Sequence, residues 1–511
     1  MRAHRSVTSL DAATTGATLG IGLWVAVTLI LVPLVSGATP LWSAGGMRGA
    51  FGALIAWIFL GSVGGLALRR VGAAVLASLP GTKSSLKAKP DPAHIVIVGG
   101  GFAGVTTAKA LERLYVFDAG IDITLVSDTN ALLFTPMLSE VAGSSLEPSH
   151  INSPTRTALH RTTFIRARVT SVDFERRIVV AGADELPYDH LVLALGSVSA
   201  YLGLDNVARY SLDFRTLLDA MTIRNHVIEM FERADRLGTA QERAHLLTFV
   251  IAGAGFAGAE LAGAVNDFAR GIVVDYPRLG ADDVSVLVVH ARDRILPELS
   301  ASLARYALER MSARGVTFKL NVRVRDATET SVQLDNGETI ATATLLWTAG
   351  SAPNPLLHEL GLTCDKRGAA VVETTLAVRQ HPNVWALGDC AAITDTYTGN
   401  PRPPTAQFAT REATTVASNI RATIDGRDRT EFRFRSLGAL CVVGHQTACA
   451  ELQLPFRMQA VRFSGFFAWL LWRGIYLAKL PGTERKLRVL IDWSIELFFP
   501  PDIVQTIDLR P

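Results

Sequence analysis

Two glycine-rich stretches carry the clearest chemical signal in this sequence. VIVGGGFAG, beginning at Val96, and IAGAGFAG, beginning at Ile251, each follow an apolar run and precede a helical pattern. At GxGxxG spacing the first glycine permits a tight turn, the second lets a pyrophosphate approach the backbone, and the third packs helix against strand. The glycines at this spacing are Gly99, Gly101 and Gly104 in the first stretch and Gly253, Gly255 and Gly258 in the second. The two motifs predict two dinucleotide sites, each with its anion at a helix N-terminus.

The residue that holds a ribose hydroxyl in such a unit is usually an acid at the end of the second strand. After the first motif that strand is predicted in ITLVSDTN, where Ser127 has the usual position and Asp128 follows it. Either side chain can reach an adenosine ribose, and an ordinary turn residue is the alternative for Asp128.

After the second motif, the corresponding strand VSVLVVH ends at His290, with Arg292, Asp293 and Arg294 beyond it. An acid at this position would select the free 2′-hydroxyl of NADH and repel the 2′-phosphate of NADPH. His290 with Arg292 removes that repulsion and can attract a phosphate, although Asp293 can neutralise a neighbouring arginine. The strand end therefore leaves NADPH open beside NADH as the donor.

Two further acids accompany these motifs. Asp389 follows Gly388 at the end of the predicted strand in NVWALGDCAAI, where it can accept a hydrogen bond from a ribityl hydroxyl. Glu260 comes two residues after the last glycine of the second motif, early in the predicted helix. Two dinucleotide sites in one chain favour electron transfer between two cofactors, and a nicotinamide donor with a tightly held flavin is the commonest pair.

The elements that position these residues alternate between apolar strands and amphipathic helices. HIVIVGG, IDITLVS, DHLVLALGS, VSVLVVH and TATLLWTAG are each predicted to be buried strands. Such alternation predicts an α/β fold with two Rossmann-like dinucleotide-binding domains, each a parallel sheet covered by helices. We expect a first domain over 93–211 that resumes at 351–430, and a second domain over 212–350. The remaining segments are 1–79, a linker at 80–92, and a C-terminal region over 431–511.

The first ninety residues are predicted to contain a transmembrane hairpin. The ranges 12–47 and 49–68 carry no charge apart from Arg48 between them, and each is long enough to cross about 30 Å of hydrocarbon. Basic residues precede the first span and follow the second, so the N-terminus and the catalytic body are expected at the cytoplasmic face of the cell membrane. A buried hairpin of a soluble protein is the alternative.

The C-terminal stretch 463–499 is dense in Phe, Trp, Leu, Arg and Lys but has no charge-free run of about twenty residues. This composition predicts an amphipathic segment that lies in the lipid headgroup region. A capping subdomain with an ordinary core is the alternative.

Composition excludes several classes of function. The net charge of +3 over 511 residues gives no indication of nucleic-acid binding. No pair of the four cysteines has CxxC spacing and no Cys/His group has zinc spacing, so no metal site is expected. Reduced, buried thiols are the expected state.

Several motifs together resemble the type II NADH dehydrogenases, which are single-chain NADH:quinone oxidoreductases. Besides the two fingerprints and VWALGDCA, these motifs are LFTPML, DRILPELS, LLWTAGSAPNPLL, PPTAQFATREA and the tail GFFAWLLWRGIYLAKLPG. The resemblance runs from about residue 93 to about residue 500. It implies FAD in the first domain, NADH in the second, and a membrane quinone as acceptor at the bilayer, without proton pumping. The N-terminal span pair is not part of the usual catalytic pattern of the family and looks like an added anchor.

The resemblance also implies which residues act. Glu260 would position the donor or relay protons, and Gln407 would line the quinone pocket with Ala406 and Ala409. The residues expected at FAD are Gly99, Gly101, Phe102, Ala103, Gly104, Asp128, Gly196, Asp389 and Ala406. Those expected at the nicotinamide nucleotide are Gly253, Gly255, Gly258, Glu260, His290, Arg292 and Gly350. A helix-start residue with satisfied hydrogen bonds is the alternative for Gln407, and an ordinary first-turn acid is the alternative for Glu260.

Other functions on the same fold remain as alternatives. A disulfide reductase needs a cysteine pair at the flavin, yet residues 91–363 contain no cysteine. A sulfide:quinone reductase would have only Cys364 and Cys390 to place there. A reductase of a soluble electron carrier and a flavin-holding sensor without turnover complete the set. The oligomeric state is open, with a homodimer as one alternative.

Overall fold

A computed structural model describes residues 9–41, 46, 49–78, 92–116, 118, 120–395, 397, 399–453 and 460–505 of the chain. The chain divides into two compact units. One unit comprises Met1–Leu86 with Gly474–Ile491, and the other comprises Lys87–Arg473 with Asp492–Pro511. Most of the predicted linker at 80–92 lies outside the described residues.

The N-terminal unit contains a pair of long apolar helices. The first runs through Ser9–Leu23, a π-helical stretch Trp24–Leu31 and Val32–Val35, and the second is Phe51–Ser78. Thr15–Val35 and Phe51–Val71 are long and apolar enough to cross a membrane. The two helices approach at glycines, since a Cβ on Gly16 would lie 1.9 Å from the carbonyl oxygen of Gly61. Small residues allow such close backbone approach between apolar helices.

The first sheet of the larger unit has six strands. Their spatial order is Ala377–Val378, His381–Ala386, His190–Leu193, Ala93–Val98, Ile121–Ser127 and Thr163–Arg166. All neighbours are parallel except the first pair. Its central strands are mainly apolar because helices cover the sheet. The helices Phe102–Leu114 (the first fingerprint helix) and Ala406–Ile424 (the return helix) pack against each other.

The second sheet has five parallel strands. Their order is Ser211–Asp213, Thr344–Trp347, Thr248–Ala252, Ser285–His290 and Val316–Leu320. The accompanying helices are Leu217–Asp235, Phe256–Ile272 (the second fingerprint helix) and Ala301–Ala313. Thr216 and Asp219 form a capping box at the start of the first of these helices.

Shorter elements connect and border the two sheets. Ser197–Ser199 pairs antiparallel with Ser351–Pro353 where the chain passes between the sheets. The small sheets are Val169–Asp173 with Ile178–Ala181 and Asp184–Pro187; Val324–Ala327 with Ser331–Leu334 and Thr339–Ala341; Ala131–Leu133 with Asn152–Pro154; and Ala370–Val371 with Ala391–Ala392. The short helices are Leu138–Ala142, Thr155–Ala158, Asp205–Tyr210, Ala240–Arg243 and Leu356–Glu359.

The C-terminal region opens with a sheet. Gly438–Val442, Ala448–Leu452 and Val461–Gly465 form an antiparallel meander. The helices Phe466–Lys479 and Thr483–Glu496 follow. Ala448, Ala450, Ala468 and Trp469 form a small buried core here. The predicted amphipathic stretch from residue 463 therefore begins as a strand, which its helical spacing from Phe466 onward did not indicate.

Candidate active site

The first glycine turn has the geometry that its spacing predicts. Gly99 has φ +114°, and a Cβ there would lie 2.1 Å from the carbonyl oxygen of Ala194. A Cβ on Gly104 would lie 1.9 Å from the carbonyl oxygen of Gly99, so helix and strand pack without a side chain between them. At Gly101, no described atom lies within 4 Å of an added Cβ. The backbone at the start of the first fingerprint helix is therefore open to a ligand.

The second glycine turn repeats this arrangement. Gly253 has φ +104°, and its added Cβ would lie 2.8 Å from Oγ1 of Thr348. A Cβ on Gly258 would lie 2.1 Å from the carbonyl oxygen of Gly253. The nearest described atom to a Cβ on Gly255 is Oε1 of the exposed Glu298, at 3.1 Å. The turn is built like the first, with one acidic side chain beside its middle glycine.

Asp389 is held by a short chain of side-chain hydrogen bonds. Ser197 Oγ donates to Oδ2 of Asp389 at 2.8 Å, and Arg215 Nη2 donates to Ser197 Oγ at 2.5 Å. Gly388, with φ +73°, lies against Ala103 of the first fingerprint helix, since its added Cβ would be 3.4 Å from the Cβ of Ala103. Asp389 therefore lies next to the first glycine turn, although its residue number is far from that turn.

A cavity of about 260 Å³ lies beside Asp389. Arg402 lines this cavity and is 7% exposed. Its guanidinium lies 4.2 Å from the ring centroid of Phe432, and its Nε and Nη2 have no hydrogen-bond partner among the described residues. Buried donors of this kind are costly unless a ligand or water satisfies them. The open first turn, Asp389 and Arg402 together fit a dinucleotide cofactor.

Other residues expected at the first dinucleotide have mixed positions. Gly196, with φ +67°, is open to ligand, since no described atom lies within 4 Å of its added Cβ. Phe102 begins the fingerprint helix, and its ring meets that of Phe134 edge-on at 5.8 Å. Asp128 is exposed just past the strand end, where its carboxylate lies 3.5 Å from Nη2 of Arg168. Ser127 is buried, and its Oγ accepts a hydrogen bond from the backbone of Thr129 at 3.3 Å.

His290 is tied to the second glycine turn. Its Nδ1 accepts a hydrogen bond from the backbone N–H of Ala254 at 3.1 Å. Burial, with the charge of Arg292 as a second cause, lowers the pKa of this imidazole below its ordinary value. A neutral ring that accepts at Nδ1 carries its proton on Nε2. His290 therefore links the strand end to the turn as a neutral group.

The other residues expected at the donor have varied surroundings. The side chain of Arg292 is exposed, and its backbone carbonyl accepts from the N–H of Asn321 at 3.0 Å. Gly350 lies where the chain returns from the second sheet, and its added Cβ would be 2.3 Å from the carbonyl oxygen of Ala200. Only a glycine allows that approach of the two crossing segments.

Glu260 lies on the second fingerprint helix and faces the C-terminal region. Its Oε1 accepts a hydrogen bond from the backbone N–H of Val442 at 3.4 Å. Burial, together with the negative charge of Glu140, raises the pKa of this carboxyl to about 8, against hydrogen bonds from Val442 and from the indole of Trp472. A carboxyl that is largely protonated at pH 7 can donate a proton.

Gln407 joins the return helix to the C-terminal sheet. Its Nε2 donates to the carbonyl oxygen of Gly438 at 3.3 Å, and its Oε1 accepts from the N–H of Leu437 at 2.8 Å. Both ends of the amide are thus engaged by one backbone segment. Ala406 starts the same helix, and Ala409 lines the cavity beside Asp389.

The four cysteines are free thiols. The sequence indicated only Cys364 and Cys390 near the site. Cys441, however, is directly opposite Cys449 in the C-terminal sheet and close enough to Glu260 for the two groups to interact electrostatically. Burial raises the pKa of the Cys390 thiol to about 11 and that of the Cys441 thiol well above its ordinary value. Buried thiols in this state are poor nucleophiles.

Family models match two consecutive parts of the chain. Residues 93–413 match the pyridine nucleotide-disulphide oxidoreductase family, and residues 437–501 match the NDH2 C-terminal domain. The second match covers the sheet and helices that follow the return helix.

Relatives and solved structures agree with these matches. The type II NADH:quinone oxidoreductase Ndh of Mycobacterium tuberculosis is 30% identical over 80% of this chain and 89% of its own length. A probable NADH dehydrogenase of Dictyostelium discoideum is 30% identical over 80% of this chain and 90% of its own. The structure of NDH2 from Plasmodium falciparum in complex with RYL-552 has a TM-score of 0.74 at 17% identity, covering 81% of this chain and 100% of that chain. The chain therefore belongs to the pyridine nucleotide-disulphide oxidoreductase family and, within it, to the type II NADH:quinone oxidoreductases.

Proposed function

We infer that this protein is a flavoenzyme that oxidises NADH and reduces a quinone. The observation that carries this inference is the pair of glycine turns, each between a buried parallel strand and a helix, in one compact unit. Two adjacent dinucleotide sites fit an enzyme that brings an electron donor to a resident cofactor. Membership of the type II NADH:quinone oxidoreductases supports the same donor and acceptor.

The residues at the first turn fit FAD. We propose that Gly99, Gly101 and Gly104 receive its pyrophosphate and that Asp389 binds the ribityl chain, held in position by Ser197. The remaining proposed contacts are Phe102, Ala103, Asp128, Gly196 and Ala406. FAD, when bound, supplies a two-electron acceptor that takes hydride from the nicotinamide and delivers electrons to the quinone.

The residues at the second turn fit the nicotinamide donor. We propose that the pyrophosphate lies at Gly255, between Gly253 and Gly258, with Gly350 and Arg292 nearby. NADH is the proposed donor. NADPH stays the alternative, because the strand end carries His290 and no acid that would repel a 2′-phosphate.

Glu260 and Gln407 are the proposed acceptor-side residues. Quinone reduction by NADH follows NADH + H⁺ + Q → NAD⁺ + QH₂, so one proton must come from the medium. The raised pKa of Glu260 suits it to release that proton during reduction. Gln407, with Ala406 and Ala409, is proposed to border the quinone, its amide fixed by the backbone of Leu437 and Gly438.

We propose that the protein is attached to the membrane, because an enzyme that reduces a lipid-soluble quinone must contact the bilayer where the quinone is dissolved. We propose that Thr15–Val35 and Phe51–Val71 span the membrane and that the catalytic unit lies at the cytoplasmic face, as the basic flanks favour. Exposed apolar side chains at the end of the larger unit support a second contact with lipid: Ile495, Leu497, Phe498 and Phe499. The proposed domains remain 93–211 with 351–430 for FAD and 212–350 for the donor.

A steady-state assay tests this function. The full chain is given NADH or NADPH with one soluble quinone analogue, and nucleotide loss and quinol gain are followed together. We expect one quinol per NADH and a higher kcat/KM for NADH by about tenfold, a difference of about 1.4 kcal/mol. Gly255→Val is compatible with the φ of −73° at this position, and its side chain, placed beside Glu298, should raise KM for the donor by obstructing the turn. Absence of quinol formation with both nucleotides would refute the proposal.

A further inference from the structure

A cluster of buried charged side chains lies beside Glu260. Its members have no role in the function proposed above. Its centre is Glu140, a residue of the short helix Leu138–Ala142. Glu140 is only 8% exposed. The indole Nε1 of Trp493 donates to Oε2 of Glu140 at 3.0 Å, and Nη2 of Arg473 lies 3.7 Å from Oε1. A carboxyl this deep is kept in proteins only with such partners.

The helix that carries Glu140 packs on the second fingerprint helix. A Cβ on Gly143 would lie 3.0 Å from the Cβ of Ala264, so the two backbones are in contact. Glu140 precedes Gly143 by about one helical turn, and Glu260 precedes Ala264 by about one turn. The two carboxyls are thus on neighbouring helices near this contact. The charge of Glu140 contributes to the raised pKa of Glu260, in agreement with that placement.

Solvent exposure increases within the cluster from Glu140 towards Glu496. The guanidinium of Arg473 lies 3.9 Å from the ring centroid of Trp469 and 4.6 Å from that of Trp493. It also binds Oε2 of Glu496 at 2.5 Å, and the Glu496 side chain is 22% exposed against 10% for Glu140. The cluster therefore connects a buried acid to a more exposed one.

Burial and the neighbouring charged groups together set the pKa of Glu140. The groups that bear on its pKa are Arg473, Glu496, Trp493 and Asp492, and Asp492 itself binds His150 Nδ1 at 2.6 Å. Burial is the largest effect, and it raises the pKa of Glu140 to about 7 despite the opposing charge of Arg473. A group with this pKa both takes up and releases a proton near neutral pH.

We propose that Glu140 is the proton reservoir that recharges Glu260 during quinone reduction. Glu260 gives its proton to the quinone and is left as carboxylate. The O–H bond of Glu140 then breaks and an O–H bond forms on Glu260, with no electrons transferred, and a proton taken up from the medium at the Glu496 side restores Glu140. Glu140 acts through Glu260 and does not touch the quinone. This inference rests on the proposed quinone reductase function.

The variant Glu140→Gln tests the proposal, because the amide keeps a hydrogen-bond acceptor for Trp493 but carries no transferable proton. Quinone turnover is measured from pH 6 to pH 9, and the rate of flavin bleaching by NADH is measured separately without oxygen. We expect turnover at pH 7.5 to fall about tenfold or more while bleaching stays within about twofold. The matched control Glu175→Gln changes an exposed acid and should alter neither rate.

The other possible outcomes of this experiment also decide whether Glu140 supplies the proton. A wild-type rate and pH profile in Glu140→Gln overturns the proposal, and so does an equal loss of bleaching and turnover, which would mark a structural role. If Glu140→Gln does not retain flavin, Glu140→Asp is used and should keep bleaching with a displaced pH profile of turnover. Loss of flavin from both variants also overturns it. Failure of the wild-type protein to reduce quinone would instead refute the proposed function.

Discussion

At the scale of single residues, His290 is the residue that we propose to lie beside the ribose of the donor. Its Nδ1 is occupied by the N–H of Ala254, and its pKa is lowered by burial and by Arg292, so no positive charge on the ring awaits a 2′-phosphate at pH 7. The attraction that the sequence suggested for NADPH must then come from Arg292 alone, whose side chain is exposed and screened by water. This favours NADH as the donor.

Replacing His290 tests that reasoning. His290→Glu should raise the ratio of kcat/KM for NADH over NADPH by about fivefold or more, because a carboxylate accepts from ribose hydroxyls and repels a 2′-phosphate. His290→Gln keeps an acceptor for Ala254 without charge and should leave the ratio nearly unchanged. An unaltered ratio in His290→Glu would show that this position does not read the ribose.

The residues that the sequence singled out and those that it did not differ in how local their signal is. The glycines of both turns were predictable because each motif is nine residues long or shorter and determines the backbone conformation of its own turn. Asp389 was predictable because a strand end followed by Gly-Asp is a local pattern. Glu140 was not, since its partner Trp493 is 353 residues away and nothing near Glu140 indicates burial of its charge.

At the scale of elements, the apolar helix pair and the end of the C-terminal region carry the membrane proposals. Glycines allow the two helices to approach closely, and several large apolar side chains of the pair are exposed: Leu19 is 64% exposed and Leu31 is 53% exposed. In water such a surface would be unfavourable, and in lipid it is the expected exterior. The sequence predicted both helices from length and composition, but the C-terminal sheet was missed because short strands with mixed polarity give a weak pattern.

Two substitution pairs test these elements in the full chain. Leu19→Lys with Leu31→Lys should release protein from membranes on alkaline carbonate extraction, because each charge costs about 3 kcal/mol within hydrocarbon. The pair Leu19→Ala with Leu31→Ala is the control and should stay bound.

Phe498→Asp with Phe499→Asp should leave extraction unchanged but slow turnover of a lipid-soluble quinone relative to a soluble analogue. Wild-type protein that is fully extracted by carbonate would contradict the proposed spans.

At the scale of the whole molecule, two mainly parallel sheets, joined by the crossing strands at Ser197 and Ser351, bring the glycine turns, Asp389 and Glu260 into one unit. The repeat of strand, glycine turn and helix predicted this architecture. It did not predict that the C-terminal region would contribute the backbone groups that hold Gln407 and Glu260. Those contacts join segments far apart in sequence, which a periodic pattern does not encode.

We infer that electrons pass from NADH to a quinone through one bound flavin. The most direct measurement records the visible flavin band of the purified full chain without oxygen, first after NADH and then after a quinone analogue. The band should bleach with NADH and return with quinone, and in Gln407→Ala only the return should slow. A flavin band that does not bleach with NADH or NADPH, or that bleaches and does not return with quinone, would contradict the account.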